Sequence, residues 1–142
     1  MALTPVDYSV ITDDMQTDTV AQEIEPSLTW HLNLETGRID KQIDGMEAIR
    51  QYIRKALITP RNQYLIYNDE YGEEVSTLIG SNLTQSVQNV ELPRLIEEAL
   101  LYDDRISKIS DIEVNPYMTD GVHISVTVEL VDGELLQEEV TI

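Results

Sequence analysis

The clearest pattern in the chain is an alternation of apolar and polar residues, which is typical of β-strands. Near the start, single polar residues separate four apolar ones: Leu28, Trp30, Leu32 and Leu34. Thr36-Gly37 then indicates a turn, and Arg38 to Ile43 is predicted to be the returning strand. We therefore expect an N-terminal β-hairpin.

A longer alternation occupies the end of the chain. Its apolar positions share one parity on each side of Asp132-Gly133: Val122, Ile124, Val126, Val128, Leu130, and then Leu136, Val140 and Ile142. Asp-Gly is a strong signal for a tight hairpin, and Asp120-Gly121 is predicted to open the first of these strands. Ile112 and Val114 predict a further strand that ends before Pro116. The last strand is expected to present an open edge for pairing.

Two main helices are predicted between these β regions. The first follows Asp44, which has Glu47 three residues later as in a capping box, and it must end before Pro60. Its apolar residues recur at helical spacing: Met46, Ile49, Ile53 and Leu57. The second is predicted to start near Leu92, because Pro93 is tolerated in a first turn. Its stripe is Leu92, Leu95, Ile96, Ala99 and Leu100.

The middle of the chain carries weaker signals. Gln63 to Tyr67 is a short strand candidate, a short helix is predicted to end at Gly80, and residues 82–90 are weakly helical. The order of elements predicts an α+β fold with a mostly antiparallel sheet. Two main helices would pack on one side of it, with an N-terminal hairpin and a C-terminal β-hairpin.

Charge and composition divide the 142 residues unevenly. Residues 1–27 are polar and acidic without a period, so we interpret them as an arm preceding a single domain of residues 28–142. The net charge is −18, and all nine Lys and Arg residues lie between Arg38 and Lys108. This charge pattern argues against unaided binding to nucleic acid or anionic lipid. The acidic ends either act as solvated faces or seek a basic partner surface.

The residues provide no catalytic set, and no enzyme activity, cofactor or metal site is predicted. Neighbouring carboxylates such as Glu97 and Glu98 point in different directions on a helix. His31 and His123 fall on the polar parity of predicted strands, and there is no cysteine. No apolar run reaches the length of a membrane span, and the start does not resemble a signal peptide. We expect a protein made in the cytoplasm.

Arg105 is the basic residue with the most informative position. It follows the second helix, behind Asp103-Asp104 and ahead of Ile106. One interpretation is a cation that complements the helix C-terminus and pairs locally. The other is a guanidinium held in place to bind the carboxylates or carbonyls of a partner.

The chain resembles the small baseplate wedge proteins that initiate the sheath of contractile phage tails. The hallmark of that family is a helix ending in Glu-Pro-Arg, followed by Ile and a strand. Arg105-Ile106 match, whereas Asp103 replaces Glu and Asp104 replaces Pro. A subgroup from Gram-positive defective prophages and tail-like bacteriocins is more similar over residues 26–130. The matching segments include Thr29–Leu32, Thr36–Ile39, Ile43–Gly45, Ala48–Gln51, Thr59–Arg61 and Leu78–Gly80.

The resemblance implies a structural virion protein, present in six copies per baseplate and assembled in the cytoplasm of a host bacterium. Its Arg-bearing signature, residues Asp103, Asp104, Arg105 and Ile106, would contact larger wedge proteins of the core bundle. Its terminal strands would pair with tail sheath subunits, through the region of Val126, Val128, Leu136, Val140 and Ile142. Tube or hub proteins are further candidate partners. Two alternatives stay open from the sequence: a lysozyme-like peptidoglycan hydrolase and an acidic mimic of DNA.

Overall fold

A computed structural model of the protein describes residues 27–118 and 121–142. Nearly all of the predicted arm lies outside the described residues, as does Asp120, which was predicted to open a strand together with Gly121. The described elements, in chain order, are β1 (Thr29–Asn33), β2 (Arg38–Ile43), α1 (Gly45–Ile58), α2 (Val75–Ile79), α3 (Gln85–Leu100), β3 (Ile106–Met118), β4 (Gly121–Leu130) and β5 (Leu135–Thr141). The α+β prediction is confirmed.

The strands form two antiparallel sheets. β1 pairs with β2 in the predicted hairpin, and the second sheet has the order β3-β4-β5. The alternation of β4 is confirmed, because every apolar residue from Val122 to Leu130 is buried. The helices cover this face, where α1 contacts β5 and α3 contacts β3. The core includes Ile53, Leu57, Leu92, Ile96, Leu100, Val126, Val128 and Leu136.

Helix α1 begins and ends where the sequence predicts. The Asp44 side chain accepts a hydrogen bond from the Gly45 N–H at 2.7 Å, and Thr59 is extended ahead of Pro60. Glu47 does not complete the reciprocal capping box. It lies beside Lys41 instead, with 3.6 Å between Nζ and Oε2.

The predicted start of the second main helix is wrong. Helix α3 begins at Gln85, so Pro93 lies in its interior rather than in its first turn. An interior proline removes one backbone hydrogen bond. Here the predicted apolar stripe from Leu92 to Leu100 is buried, and this packing holds the part of the helix that follows the proline.

Two strand predictions are also corrected. Gln63 to Tyr67 forms turns instead of a strand, because Leu65 and Ile66 project into solvent and pack against no sheet. β3 starts at Ile106 and continues through Pro116 to Met118. Proline is tolerated there because β3 is an edge strand of the sheet.

Candidate functional site

Arg105 lies in the short connection between α3 and β3, one residue before β3 begins. Its Nε and Nη2 atoms donate to Oδ1 and Oδ2 of Asp103 at 2.9 and 2.6 Å, and its backbone N–H donates to Oδ1 at 2.9 Å. The hydrogen bonds with Asp103 raise the pKa of Arg105 above its usual value. Because a two-pronged pair fixes the guanidinium plane, Arg105 is oriented by its own chain.

The corner around Arg105 is largely closed. The side chains of Arg105 and Asp103 are 19% and 13% exposed. The backbone carbonyl of Arg105 accepts a hydrogen bond from the Val131 N–H at 3.1 Å, which ties the corner to the β4–β5 turn. This geometry favours local pairing. A partner contact through Arg105 would use the exposed remainder of its guanidinium.

The other residues of this signature divide between surface and core. Asp104 is exposed, whereas Ile106 is 5% exposed and belongs to the hydrophobic core. Tyr52 lies close to Asp103 and Arg105, and its hydroxyl donates to the Ala99 carbonyl at 3.1 Å. Burial, and next the nearby Asp103 carboxylate, raise the pKa of Tyr52 far above its usual value.

We call residues 122–142, which contain β4 and β5, the β tail. Its predicted contact residues lie mostly in the core. Val126, Val128, Leu136 and Val140 are buried, and Ile142 is partly buried. β4 is the central strand, with β3 on one side and β5 on the other. The expectation that residues 122–142 supply several edge strands is therefore corrected, because a strand paired on both sides has no edge to offer.

The outer edge of β5 is the edge that the β tail presents. Val122 and Ile142 exchange two backbone hydrogen bonds, at 2.8 and 3.0 Å. Hydrogen-bonded and non-hydrogen-bonded residue pairs alternate along an antiparallel ladder. Thr127 and Gln137, which lie opposite each other, are therefore a pair without mutual hydrogen bonds. The backbone N–H and C=O groups of β5 that point away from β4 are therefore those of Leu135, Gln137, Glu139 and Thr141.

A buried carboxylate fastens β5 to α1. Glu138 is 3% exposed, and its Oε2 accepts a hydrogen bond from Arg50 Nη1 at 2.8 Å while Oε1 accepts from Arg54. Arg50 Nη1 also donates to the Gln137 carbonyl at 3.1 Å. Sequence reasoning did not identify this group, although Glu138 shares the parity of Leu136 and Val140, and that signal could have revealed it.

Another feature that the sequence did not reveal is the loop between α1 and α2. Arg61 Nη1 donates to Glu98 at 2.7 Å and to Glu74 at 3.2 Å, and its Nε and Nη2 donate to the Gly72 carbonyl. Gly72 has φ +104°, and a Cβ there would lie 2.5 Å from the Thr59 carbonyl oxygen. These contacts hold a loop whose tip exposes Leu65 and Ile66.

Aromatic rings make up the base of the same loop. Tyr67 and Tyr71 stack with their centroids 4.4 Å apart, and Lys55 Nζ lies 4.9 Å from the Tyr67 centroid. Burial raises the pKa of Tyr71 above its usual value. The loop is thus anchored at its base and apolar at its tip, a combination typical of surfaces that another protein covers.

A cleft of about 470 Å³ lies between the β1–β2 hairpin and α1, lined by residues that include Leu32, Lys41, Glu47, Arg50 and Gln51. Across residues 27–118 and 121–142, no cluster of His, Asp and Glu could hold a metal ion. None of the described helices has the length and apolar character needed to cross a membrane.

The chain is similar to known proteins over most of its length. A family model described as the contractile injection system sheath initiator matches residues 28–133. The chain is also similar to the phage-like element PBSX protein XkdS of Bacillus subtilis (strain 168). The two are 42% identical over 142 residues, which cover 99% of this chain and 96% of the relative.

Proposed function

Because this chain belongs to the contractile injection system sheath initiator family, we propose that it joins baseplate wedge proteins to the first ring of sheath subunits. Family membership supports the coarser part, a structural role in starting the sheath. The finer part is our proposal: a wedge subunit with one surface for the wedge and another for the sheath. The observation that carries it is the outer edge of β5.

The sheath contact is proposed to form by strand addition to β5. Four peptide groups of β5 point away from β4, at Leu135, Gln137, Glu139 and Thr141. An extended segment of another protein can pair with such a row, because backbone hydrogen bonds supply affinity and register. The side chains of Leu136 and Val140 hold β5 in the core, so this edge is rigid before a partner arrives.

The wedge contact is proposed to form at the α3–β3 corner. Asp103 holds the Arg105 guanidinium in one plane, and Asp104 lies exposed beside it. An oriented guanidinium loses less conformational freedom when it binds a carboxylate or carbonyl. The pair with Asp103 therefore serves as preparation for a partner contact. Six copies per baseplate and assembly in the bacterial cytoplasm belong to the same proposal.

Imaging of particles assembled with and without this chain tests the proposed function. We expect tail tubes to form in both cases and sheath to be absent when the chain is missing. With purified components, sheath subunits should polymerise from baseplates that carry the chain and remain free otherwise. Normal sheath on particles that lack the chain would refute the proposal.

The wedge contact is tested by comparing Arg105→Ala with Asp103→Ala. Both variants break the same internal pair, and Asp103→Ala also removes the acceptor of the Arg105 backbone N–H, so its loss of folding stability in urea denaturation should be at least as large. Only Arg105→Ala removes the guanidinium, and we expect it to prevent incorporation into baseplates, whereas Asp103→Ala should only weaken incorporation. Equal incorporation of the two variants would show that Arg105 acts only within its own chain.

A further inference from the structure

The outer edge of β5 is not uniformly open, because a side chain of α1 occupies part of it. Arg50 Nη1 donates to the Gln137 carbonyl at 3.1 Å. That carbonyl is in the row that points away from β4, as the register of the β4–β5 ladder requires. Any strand that pairs with this part of β5 must therefore either share the Gln137 carbonyl with Arg50 or displace Arg50 from it.

The group that holds Arg50 has an unequal charge balance. Two guanidinium groups, of Arg50 and Arg54, share the single carboxylate of Glu138. The carboxylate is 3% exposed, whereas the two arginine side chains are 46% and 53% exposed. Glu138 therefore matches one of the two guanidinium charges, and Glu35, Lys41 and Glu47 line the same cleft as Arg50 and Arg54. Because both guanidinium groups are about half exposed, a second carboxylate could approach them from solvent.

The position of these guanidinium groups defines which side of an incoming strand they meet. Residues 136, 138 and 140 of β5 face the helices, and residues 135, 137, 139 and 141 face away. A strand added beyond β5 continues the same alternation. Its side chains on the helix side would lie beside Arg50 and Arg54, and those on the other side would lie beside Glu139.

We propose that the outer edge of β5 selects an extended strand with a carboxylate side chain on its helix-facing side, and that Arg50 makes the selection. In the free chain Arg50 competes for the Gln137 carbonyl. The incoming carboxylate accepts hydrogen bonds from Arg50 and frees the Gln137 carbonyl for the ladder. A strand with a lysine at that position would instead meet two guanidinium groups. This inference rests on the strand addition proposed above and names the chemistry of the partner strand.

Two synthetic peptides of seven residues test the selection. Both alternate Val and Thr, and they differ only in a central Glu or Lys on one face. Binding to the full chain is followed by NMR through the amide shifts of Leu135, Gln137, Glu139 and Thr141. We expect the Glu peptide to bind about tenfold more tightly than the Lys peptide, because a single charge-assisted hydrogen bond accounts for a factor of this order.

Arg50→Ala and Arg54→Ala provide the matched comparison. Both arginines bind Glu138, but the hydrogen bond to the Gln137 carbonyl is made by Arg50. We expect Arg50→Ala to bind the Lys peptide more tightly than the unchanged chain does and to lose the preference for Glu. Arg54→Ala should keep most of that preference. Circular dichroism and urea denaturation confirm that each variant is folded.

Equal binding of both peptides to the unchanged chain would overturn the inference. So would equal loss of preference in the two variants, or no amide shift with either peptide. None of these measurements involves sheath protein. If the chain shows no preference for the Glu peptide but sheath assembly still requires the chain, only the inference on carboxylate selection is refuted. If sheath forms without the chain, the proposed function fails whatever the peptides do.

Discussion

The N-terminal hairpin and the C-terminal sheet have the same alternation of apolar and polar residues but opposite burial. In β4 the apolar side chains are buried beneath α1 and α3. In the hairpin Trp30 is 56% exposed, and Leu28, Leu34 and Ile39 are exposed as well. Alternation alone therefore predicts a strand and leaves open whether its apolar face becomes core or surface. A covering helix decides that. Among the described helices α1 contacts β1, but it leaves most of this face exposed.

The largest expected difference between the two regions is in stability. Leu136→Ala removes a side chain that is 1% exposed, so we expect a loss of about 2–5 kcal/mol in the free energy of unfolding. Trp30→Ala removes a larger side chain but should cost clearly less, because much of it already lies in water. Urea denaturation followed by circular dichroism measures both.

Leu135→Ala is the control within the same strand. Leu135 precedes Leu136 and is 62% exposed, so its truncation should stay within about 0.5 kcal/mol. If Trp30→Ala proved as costly as Leu136→Ala, the hairpin would have to share the core. The contrast between the two regions would then be wrong.

This contrast also shows what the sequence can and cannot predict. The hairpin, the last three strands and the buried stripe of α3 follow from patterns within a few neighbouring residues. The ion pairs of Glu138 do not, because its partners Arg50 and Arg54 lie more than 80 residues away along the chain. An isolated Glu on an apolar parity gives no sign of which cations will meet it.

The same limit applies to Arg105 and to the segment from Gln63 to Tyr67. The position of Arg105 marks it as a candidate, but its pairing with Asp103 depends on the closed corner, and the sequence cannot separate that pairing from a partner contact. Gln63 to Tyr67 has strand-like composition, yet no neighbouring strand is available to pair with it in the described sheets. Local composition cannot report a missing partner strand.

The next prediction concerns the buried carboxylate of Glu138, which joins the C-terminal sheet to α1. Glu138→Gln keeps the shape of the side chain but leaves Arg50 and Arg54 without a counter-charge. We expect a loss of about 1–3 kcal/mol in the free energy of unfolding, because the buried amide weakens two charge-assisted hydrogen bonds and presents N–H donors to the guanidinium groups. Glu139→Gln, one residue later on the exposed side of β5, is the control. A similar cost for both would mean that the burial of Glu138 is energetically unimportant.

A smaller effect is expected where the hairpin is attached to the rest of the molecule. Gln51 Oε1 accepts from the Leu32 N–H at 2.6 Å, and Gln51 Nε2 donates to the Trp30 carbonyl at 2.8 Å. Its amide thus pairs with β1 as a neighbouring strand would. Gln51→Ala should cost about 1 kcal/mol and should speed amide hydrogen exchange at Leu32, with little change in β4.

Gln51→Glu refines the same test. A carboxylate can still accept from the Leu32 N–H but cannot donate to the Trp30 carbonyl. Its effect on exchange at Leu32 should lie between those of the unchanged chain and Gln51→Ala. Equal acceleration in β1 and β4 would show that the two regions open together, contrary to their difference in burial.

The smallest effect concerns pH and the residue that connects the hairpin to α1. Hydrogen bonds from the Ser27 hydroxyl and then from the Gly45 N–H lower the pKa of Asp44 below its usual value of 3.8. Because the folded-state pKa is the lower one, this contribution to stability is present above the unfolded pKa. It is lost as the pH falls through the folded pKa.

Asp44→Asn keeps a capping acceptor that does not titrate. The stability difference between the unchanged chain and this variant should therefore shrink as the medium becomes more acidic than pH 3.8. Parallel urea profiles for the two proteins down to the lowest pH would contradict the assignment, and Asp104→Asn, at an exposed carboxylate that caps no helix, provides the baseline.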